Sequence, residues 1–166
     1  MALMNNLVGL EPSIQLYPRD AVAAIIYTED GKVLLQKRDN LTTIFYPNYW
    51  GFFGGAVDLN ETSNEAITRE LLEELNFSFD YSIINRVGSF DFSVNEISIG
   101  RFVRDYYSIL IESKDISKYK LGEGAEFALF DISYALENLK IVPYDAFMLW
   151  MFCYKDQLKV RDDYGK

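Results

Sequence analysis

The chain has 166 residues, a length that favours one domain, and 49% of them are hydrophobic, which is ample for a core. Its formal net charge of -9 argues against duplex nucleic acid as a partner, because phosphate binding needs many Lys and Arg residues. No histidine is present, which excludes histidine general bases, Ser-His triads and histidine-rich zinc sites.

The single cysteine and the hydropathy pattern bear on location. Cys153 rules out an internal disulfide and fits a reducing compartment. The sequence has no run of 18 apolar residues and no leader with charged, apolar and small segments. We therefore expect no membrane span, no signal peptide, no membrane partner and a cytoplasmic location.

The first third of the chain predicts an arm followed by a hairpin. Residues 1–19 are weakly patterned, so we expect an N-terminal arm, then a domain over residues 20–158 and a polar tail over residues 159–166. The apolar run 21–27 predicts a strand buried on both faces. Asp30-Gly31 predicts a tight turn, and residues 32–37 the returning strand.

The stretch 55–77, GAVDLNETSNEAITRELLEELNF, predicts a tight loop that leads into a helix. Thr62 and Glu65 have the spacing of a capping box, and no Gly or Pro follows before Leu75. The expected core face comprises Ile67, Leu71, Leu72 and Leu75. The opposite flank holds three carboxylates, Glu70, Glu73 and Glu74. Clustered carboxylates repel one another, and they are the ligands that Mg²⁺ takes.

The second half predicts strands over residues 80–92, 97–112 and 126–130, then a short helix to residue 139 and a last helix that opens at Val142-Pro143. An apolar stripe on the last helix indicates core or a dimer interface; it comprises Phe147, Trp150, Met151, Tyr154 and Leu158. The order of elements favours an α/β fold with a mixed sheet between helices.

The spacing of the stretch 55–77 resembles the Nudix box of the Nudix hydrolases. The matching positions are Gly55, Glu61, Arg69, Glu70, Leu71, Glu73, Glu74 and Phe77. Asn76 stands where the family has its second glycine. Because Asn is the best substitute for Gly in the left-handed conformation, we expect a small cost in stability and an intact metal site. An acidic amphipathic helix with a solvated face would not explain the spacing of Gly55, Glu61 and Arg69.

The resemblance covers about residues 20–157 and implies an α/β/α sandwich. It implies Mg²⁺-dependent hydrolysis of a diphosphate linkage in a nucleoside diphosphate derivative, either a nucleotide sugar or a nucleoside triphosphate, with Mn²⁺ as an alternative metal. The partner is then a phosphorylated small molecule. Family members are often homodimers, which makes this chain a candidate homodimer.

The same resemblance implies roles for individual residues. The metal ligands would be Glu70, Glu73 and Glu74 with a backbone contribution from Gly54 or Gly55, and Glu70 and Glu74 would also be catalytic. Arg69 and Glu61 match a pair that orients those carboxylates.

The general base varies within the family, and a remote loop is one source. Glu123, between Gly122 and Gly124, is the favoured base or extra metal ligand, with Glu126 in reserve. A solvated acidic turn explains either residue equally well.

Substrate contacts are expected from the strand end and the loop after it. Arg38 is a candidate phosphate contact or, equally, a surface arginine. Trp50 and Phe52 are candidates for stacking on a nucleobase, although core packing explains most aromatic residues of this loop. A Nudix-like domain that binds a nucleotide or a protein without turnover is the alternative function, and an acidic α/β domain with no site is the third.

Overall fold

A computed structural model describes residues 17–93 and 100–157. The strands are β1 (Ala21–Thr28), β2 (Lys32–Lys37), β3 (Trp50–Gly51), β4 (Asn85–Ser93), β5 (Arg101–Ile111) and β6 (Glu126–Asp131). The helices are α1 (Ser63–Leu75), α2 (Ile132–Asn138) and α3 (Pro143–Tyr154), with 3₁₀ turns at Tyr81–Ile83, Ser113–Lys118 and Lys155–Gln157. In the described ranges no helix is both long enough and apolar enough to cross a membrane.

The six strands form one mixed sheet. Its order is β3-β2-β1-β5-β4, and β6 pairs with β2. Strand β1 runs parallel to β5 and antiparallel to β2, while β6 runs antiparallel to β2. This arrangement confirms the predicted α/β fold with a mixed sheet between helices.

Strand β1 lies at the centre of the sheet and is buried on both faces, as its apolar run predicts. On one face Val22, Ala24 and Ile26 belong to the core under α1. On the other face Ala23 and Ile25 belong to a second core under α2 and α3. Side chains of a strand alternate between faces, so a strand with two buried faces must be apolar at every position.

Both ends of α1 have the predicted caps. The Thr62 hydroxyl accepts a hydrogen bond from the Glu65 amide, and the Glu65 carboxylate accepts one from the Thr62 amide. Asn76 at the C-terminal end adopts φ 47° and ψ 39°, the left-handed conformation that a glycine would take.

The buried face of α1 differs from the predicted one at three positions. The sequence predicts Leu72 in the core, but 49% of it is exposed, and Ala66 is buried instead. The sequence predicts Glu74 on the outer flank, but it is only 7% exposed. Compared with the predicted orientation, the Glu74 side of α1 is turned toward the core. There the Glu74 carboxylate accepts hydrogen bonds from Gln36 and from the Gly54 amide.

Helix α3 does not bury in the core the apolar stripe that the sequence assigns to the core or to a dimer interface. Its buried residues are Asp145, Met148 and Leu149, whereas Phe147, Trp150 and Tyr154 are exposed. An ion pair of Asp145 with Arg104 holds the 145–149 side of the helix against the sheet. Leu158, the expected polar tail over residues 159–166 and residues 1–16 of the expected arm over residues 1–19 lie outside the described residues. The dimer interface stays a prediction.

The segment 50–56 brings the Gly54-Gly55 pair to the centre of the sheet. Gly51 pairs with Gln36 of β2. The amides of Val22 and Ala24 on β1 donate to the carbonyls of Gly55 and Phe53 at 2.9 and 2.8 Å. Because β1 and β2 diverge around this segment, its backbone lies beside the C-terminal half of α1.

Candidate active site

One guanidinium, that of Arg69, organises the acidic side of the site. It donates to Glu61 through Nε at 2.8 Å and through Nη2 at 2.9 Å. Nη2 also reaches the carbonyl of Ala56 at 3.0 Å, and Nη1 reaches Glu70 at 2.8 Å and Glu73 at 3.1 Å. The bonds from Arg69 lower the pKa of Glu61 to about 2, so this carboxylate stays ionised. Arg69 thereby joins the loop before α1 to the carboxylates on α1.

Glu74 is the buried member of the cluster. Its Oε1 accepts a hydrogen bond from Gln36 Nε2 at 2.6 Å, and its Oε2 accepts one from the Gly54 amide at 2.6 Å. Burial raises the pKa of Glu74 to about 8, while the bonds from Gln36 and Gly54 act in the opposite direction. Gln36 also donates to the carbonyl of Phe52 at 3.3 Å. No pattern in the sequence indicated this role for Gln36.

Glu70 lies against the Gly54-Gly55 backbone. A Cβ at Gly55 would lie 2.5 Å from Glu70 Oε1, so the absent side chain leaves the space that this carboxylate occupies. Burial raises the pKa of Glu70, and the Arg69 bond opposes that shift. Glu73 is more accessible, with 49% of its side chain exposed.

The donor set fits a hard divalent cation. It consists of the oxygens of Glu70, Glu73 and Glu74 and of the adjoining backbone carbonyls, which are the ligands that Mg²⁺ prefers. Within residues 17–93 and 100–157, no three acidic side chains are arranged closely enough to bind one metal ion together. Arg69 Nη1 draws Glu70 and Glu73 together and provides a positive charge beside them.

The loop that contains Glu123 is docked on the C-terminal end of α1. The amides of Lys120 and Gly122 donate to the carbonyls of Leu75 and Glu74 at 2.9 and 2.8 Å. Glu123 is exposed, and it is close enough to Glu70 to contribute to that residue's raised pKa. Glu126, the reserve residue, forms an exposed ion pair with Lys37 at 3.1 Å.

Beside the Gly54-Gly55 backbone lies a pocket of about 280 Å³, here called the aromatic pocket. Its charged lining in the described part of the chain consists of arginines only, Arg19, Arg38 and Arg104. The aromatic lining comprises Tyr17, Phe45, Tyr46, Phe92, Phe102 and Tyr144. The structure thus brings Arg38, of the predicted substrate contacts, to this pocket.

The other two predicted substrate contacts lie elsewhere. Phe52 is 1% exposed and packs in the second core, edge-on to Tyr106. Trp50 packs edge-on against Phe130, and the Lys37 ammonium lies 5.9 Å from its ring. Neither side chain lines the aromatic pocket, because both point to the side of the sheet that α2 and α3 cover.

Arg104 and Asp145 form a buried pair that no sequence motif indicated. Their side chains are 9% and 3% exposed, and Arg104 Nη2 lies 3.4 Å from Asp145 Oδ1. Asp145 also accepts a hydrogen bond from the Phe52 amide at 3.1 Å. The sequence does contain a pattern that could have pointed to Arg104, although it is weaker than a motif. It shares a strand face with Phe102 and Tyr106, and a charge on an apolar face indicates a buried partner or a ligand.

The family profile described as NUDIX domain matches residues 17–148 of this chain. The chain therefore belongs to the Nudix family, and it is a pyrophosphohydrolase. Members of this family generally use divalent metal ions and act on phosphorylated small molecules.

Solved structures show the same fold at low sequence identity. A MutT protein from Methanosarcina mazei is 19% identical with a TM-score of 0.68, and the alignment covers 88% of this chain and 100% of that one. The Nudix domain of Shewanella oneidensis NrtR, solved in complex with ADP ribose, is 17% identical with a TM-score of 0.67, over 87% and 92%. The E. coli dihydroneopterin triphosphate pyrophosphohydrolase is 18% identical with a TM-score of 0.64, over 84% and 99%. No curated protein matches the chain significantly.

Proposed function

We propose that this protein hydrolyses a diphosphate linkage in a nucleoside diphosphate derivative with the help of Mg²⁺. The observation that supports this most is the adjacency of two features. The carboxylates around Arg69 lie against Gly54 and Gly55, and the same two glycines line the aromatic pocket. A ring held in the pocket would place an attached diphosphate beside the carboxylates.

In this proposal Glu70, Glu73 and Glu74 hold the metal. The backbone ligand would be the carbonyl of Gly54 or Gly55. The Gly55 carbonyl accepts one hydrogen bond, from the Val22 amide at 2.9 Å, and has a second lone pair for a cation. Mg²⁺, when bound, neutralises phosphate charge and lowers the pKa of the attacking water, and Mn²⁺ takes the same oxygen ligands. Glu61 and Arg69 orient the carboxylates.

Glu123 is the proposed general base or additional metal ligand. The docking of its loop on α1 places this exposed carboxylate near Glu70, whereas Glu126 is paired with Lys37. Arg38 is the proposed phosphate contact. Its Nε donates to the Phe45 carbonyl at 2.9 Å, which fixes the side chain at the pocket, and among the described residues its other guanidinium nitrogens form no hydrogen bond that would keep them from a ligand.

The choice between a nucleotide sugar and a nucleoside triphosphate depends on the group attached beyond the diphosphate. A neighbour with this fold was solved with ADP ribose, and another is a dihydroneopterin triphosphate pyrophosphohydrolase, so the fold accommodates a diphosphate linked to a sugar and also a triphosphate. The alternative function is a domain that binds a ligand without turnover. Its only support in the sequence was Asn76, which replaces a glycine of the Nudix box. Asn76 adopts the left-handed conformation of the family glycine, which removes that support.

The test is hydrolysis with Mg²⁺ of a panel of nucleoside triphosphates, nucleotide sugars, ADP ribose and dinucleoside polyphosphates. We expect one substrate group to be cleaved, and we expect Glu74→Gln to lower kcat by more than about a hundredfold, since loss of mere supporting partners costs about 10- to 100-fold. Glu137→Gln, which removes an exposed carboxylate on α2, is the matched control.

Two outcomes would contradict the proposal. One is a Glu74→Gln protein as active as the wild type. The other is a folded wild-type protein that binds Mg²⁺ and a nucleotide by calorimetry but cleaves nothing in the panel, which would indicate binding without turnover.

A further inference from the structure

The most unusual charged group outside the carboxylate cluster is the guanidinium of Arg104 on β5. It is 9% exposed, and its Nε has no hydrogen-bond partner among the residues that the structure describes. Its surroundings are otherwise aromatic, since it lies 5.0 Å from the ring of Tyr144 and 5.6 Å from the ring of Tyr106. A buried N–H without an acceptor is costly, so such a group indicates a missing partner.

Arg104 also lines the aromatic pocket, so a ligand that enters this pocket can approach its guanidinium. The aromatic side chains there suit a flat heterocyclic ring. The volume of about 280 Å³ is just below the range of about 300–1,000 Å³ for ligand pockets, which suits a ring system and not a whole nucleotide.

The charge of Arg104 is already balanced by Asp145, whose Oδ1 lies 3.4 Å from Nη2. A neutral pair whose Nε–H lacks an acceptor among the described residues suits neutral acceptors, such as a carbonyl oxygen or a ring nitrogen, more than a phosphate. A guanidinium donates two parallel bonds, and the carbonyl and N7 of guanine match that spacing. The amino group of adenine would instead face an N–H donor.

We propose that Arg104 recognises the paired acceptor edge of an oxo-bearing ring, that of a 6-oxopurine or of a pterin, bound in the aromatic pocket. Asp145 is a positioning residue in this arrangement, since it holds Arg104 and accepts a hydrogen bond from the Phe52 amide at 3.1 Å. The inference rests on the proposed function, because it names the ring of the substrate whose diphosphate lies at the carboxylates.

The test measures binding rather than turnover. Calorimetry compares the non-hydrolysable α,β-methylene triphosphates of guanosine, inosine and adenosine, with Mg²⁺ and with EDTA. We expect guanosine and inosine to bind about equally, and both about 10- to 100-fold more tightly than adenosine, which is the discrimination of one bidentate contact. Inosine separates the shared acceptor edge from the amino group that only guanosine has. Neopterin triphosphate, in EDTA, distinguishes a pterin site from a purine site.

The variant is Arg104→Lys, which keeps a cation beside Asp145 and removes the two-pronged donor. We expect its preference for inosine over adenosine to fall below about threefold, while the affinity for the adenosine analogue stays nearly unchanged. Arg101→Gln, an exposed arginine on the same strand, is the control and should keep the wild-type preference. If Arg104→Lys fails to fold, the double variant Arg104→Gln with Asp145→Asn removes both charges and is expected to lose the preference as well.

Equal binding of the three analogues, a preference for adenosine, no binding of any ring, or an unchanged preference in both Arg104 variants would overturn the inference. These results differ from a failure of the proposed function. Hydrolysis without a preference for one ring would agree with the proposed function and contradict the role of Arg104. A ring preference without hydrolysis would agree with the role of Arg104 and contradict the proposed function.

Discussion

At the scale of single residues, Glu74 combines two opposing demands. Its burial in the core disfavours the charged form and raises its pKa to about 8. Both of its oxygens nevertheless accept hydrogen bonds. The donors, Gln36 and the Gly54 amide, hold the carboxylate in one orientation. A metal ion would stabilise the charged form further, because an adjacent cation lowers the pKa of a carboxylate.

This raised pKa predicts the pH dependence of stability without metal. The folded protein holds the Glu74 proton more tightly than the unfolded chain, whose ordinary value is 4.5. The stabilising contribution is therefore complete below about pH 4.5 and is lost as the pH rises through about 8. We expect thermal melts in EDTA to show a loss on the order of a few kcal/mol between pH 5 and 9.

The variant Glu74→Gln cannot titrate, so its melting temperature should depend less on pH over this interval. Some slope should remain, because burial also raises the pKa of Glu70 and of Asp145. Glu61 contributes in the opposite sense. Its pKa is lowered to about 2, so its contribution is lost only as the pH falls below about 4.5. A Glu74→Gln protein with the full wild-type slope between pH 5 and 9 would contradict this explanation.

At the scale of elements, the site depends on how the loop with Glu123 meets the end of α1. The last carbonyls of a helix lack partners within the helix, and here the Lys120 and Gly122 amides supply them. The approach is close, because a Cβ at Gly122 would lie 1.8 Å from the Glu73 carbonyl oxygen. A side chain at this position must therefore displace backbone.

We expect Gly122→Ala to move the loop and to lower kcat by about a hundredfold, since a misplacement of about 1 Å can cost that much. The protein should stay folded, because the displaced loop is exposed and the cores are untouched. Activity assays and circular dichroism of Gly122→Ala, Glu123→Gln and the control Glu137→Gln check this. Full activity of Gly122→Ala would show that the loop supplies no reacting group.

At the scale of the whole molecule, β1 connects two separate cores. Its alternate side chains belong to the core under α1 and to the core under α2 and α3. Because neither core can lose this strand and stay packed, both should unfold together.

Leu71→Ala in the first core and Leu149→Ala in the second should each lower the free energy of unfolding by about 2–5 kcal/mol in a single transition. Trp50 packs against the second core, and Trp150 lies on α3 beside it, so tryptophan fluorescence reports that side, while far-UV circular dichroism reports the helices. The two probes should coincide for both variants. Leu72→Ala, on the exposed side of α1, should change stability by less than about 0.5 kcal/mol. Two separate transitions would show that the cores unfold independently.

The sequence by itself determined the features that depend on neighbouring residues. Strand β1, the β1–β2 turn, the caps of α1 and the box spacing were all predictable, because capping, periodicity and turn chemistry act over a few residues. The family followed from the same short stretch. The expected core position of Leu72 was wrong, because an amphipathic pattern leaves the rotation of a helix uncertain by about one residue.

Only the tertiary structure decided which distant groups meet. Gln36 and Glu74 are 38 positions apart, and Arg104 and Asp145 are 41 apart (145 minus 104), yet each pair is in contact. These contacts between distant residues also decide three further features. Glu74 is buried, Trp50 and Phe52 lie outside the aromatic pocket, and the Nε of Arg104 has no partner within the described residues. Burial and hydrogen-bond partners are properties of the packed sheet and helices, so they cannot be read from the spacing of residues along the chain.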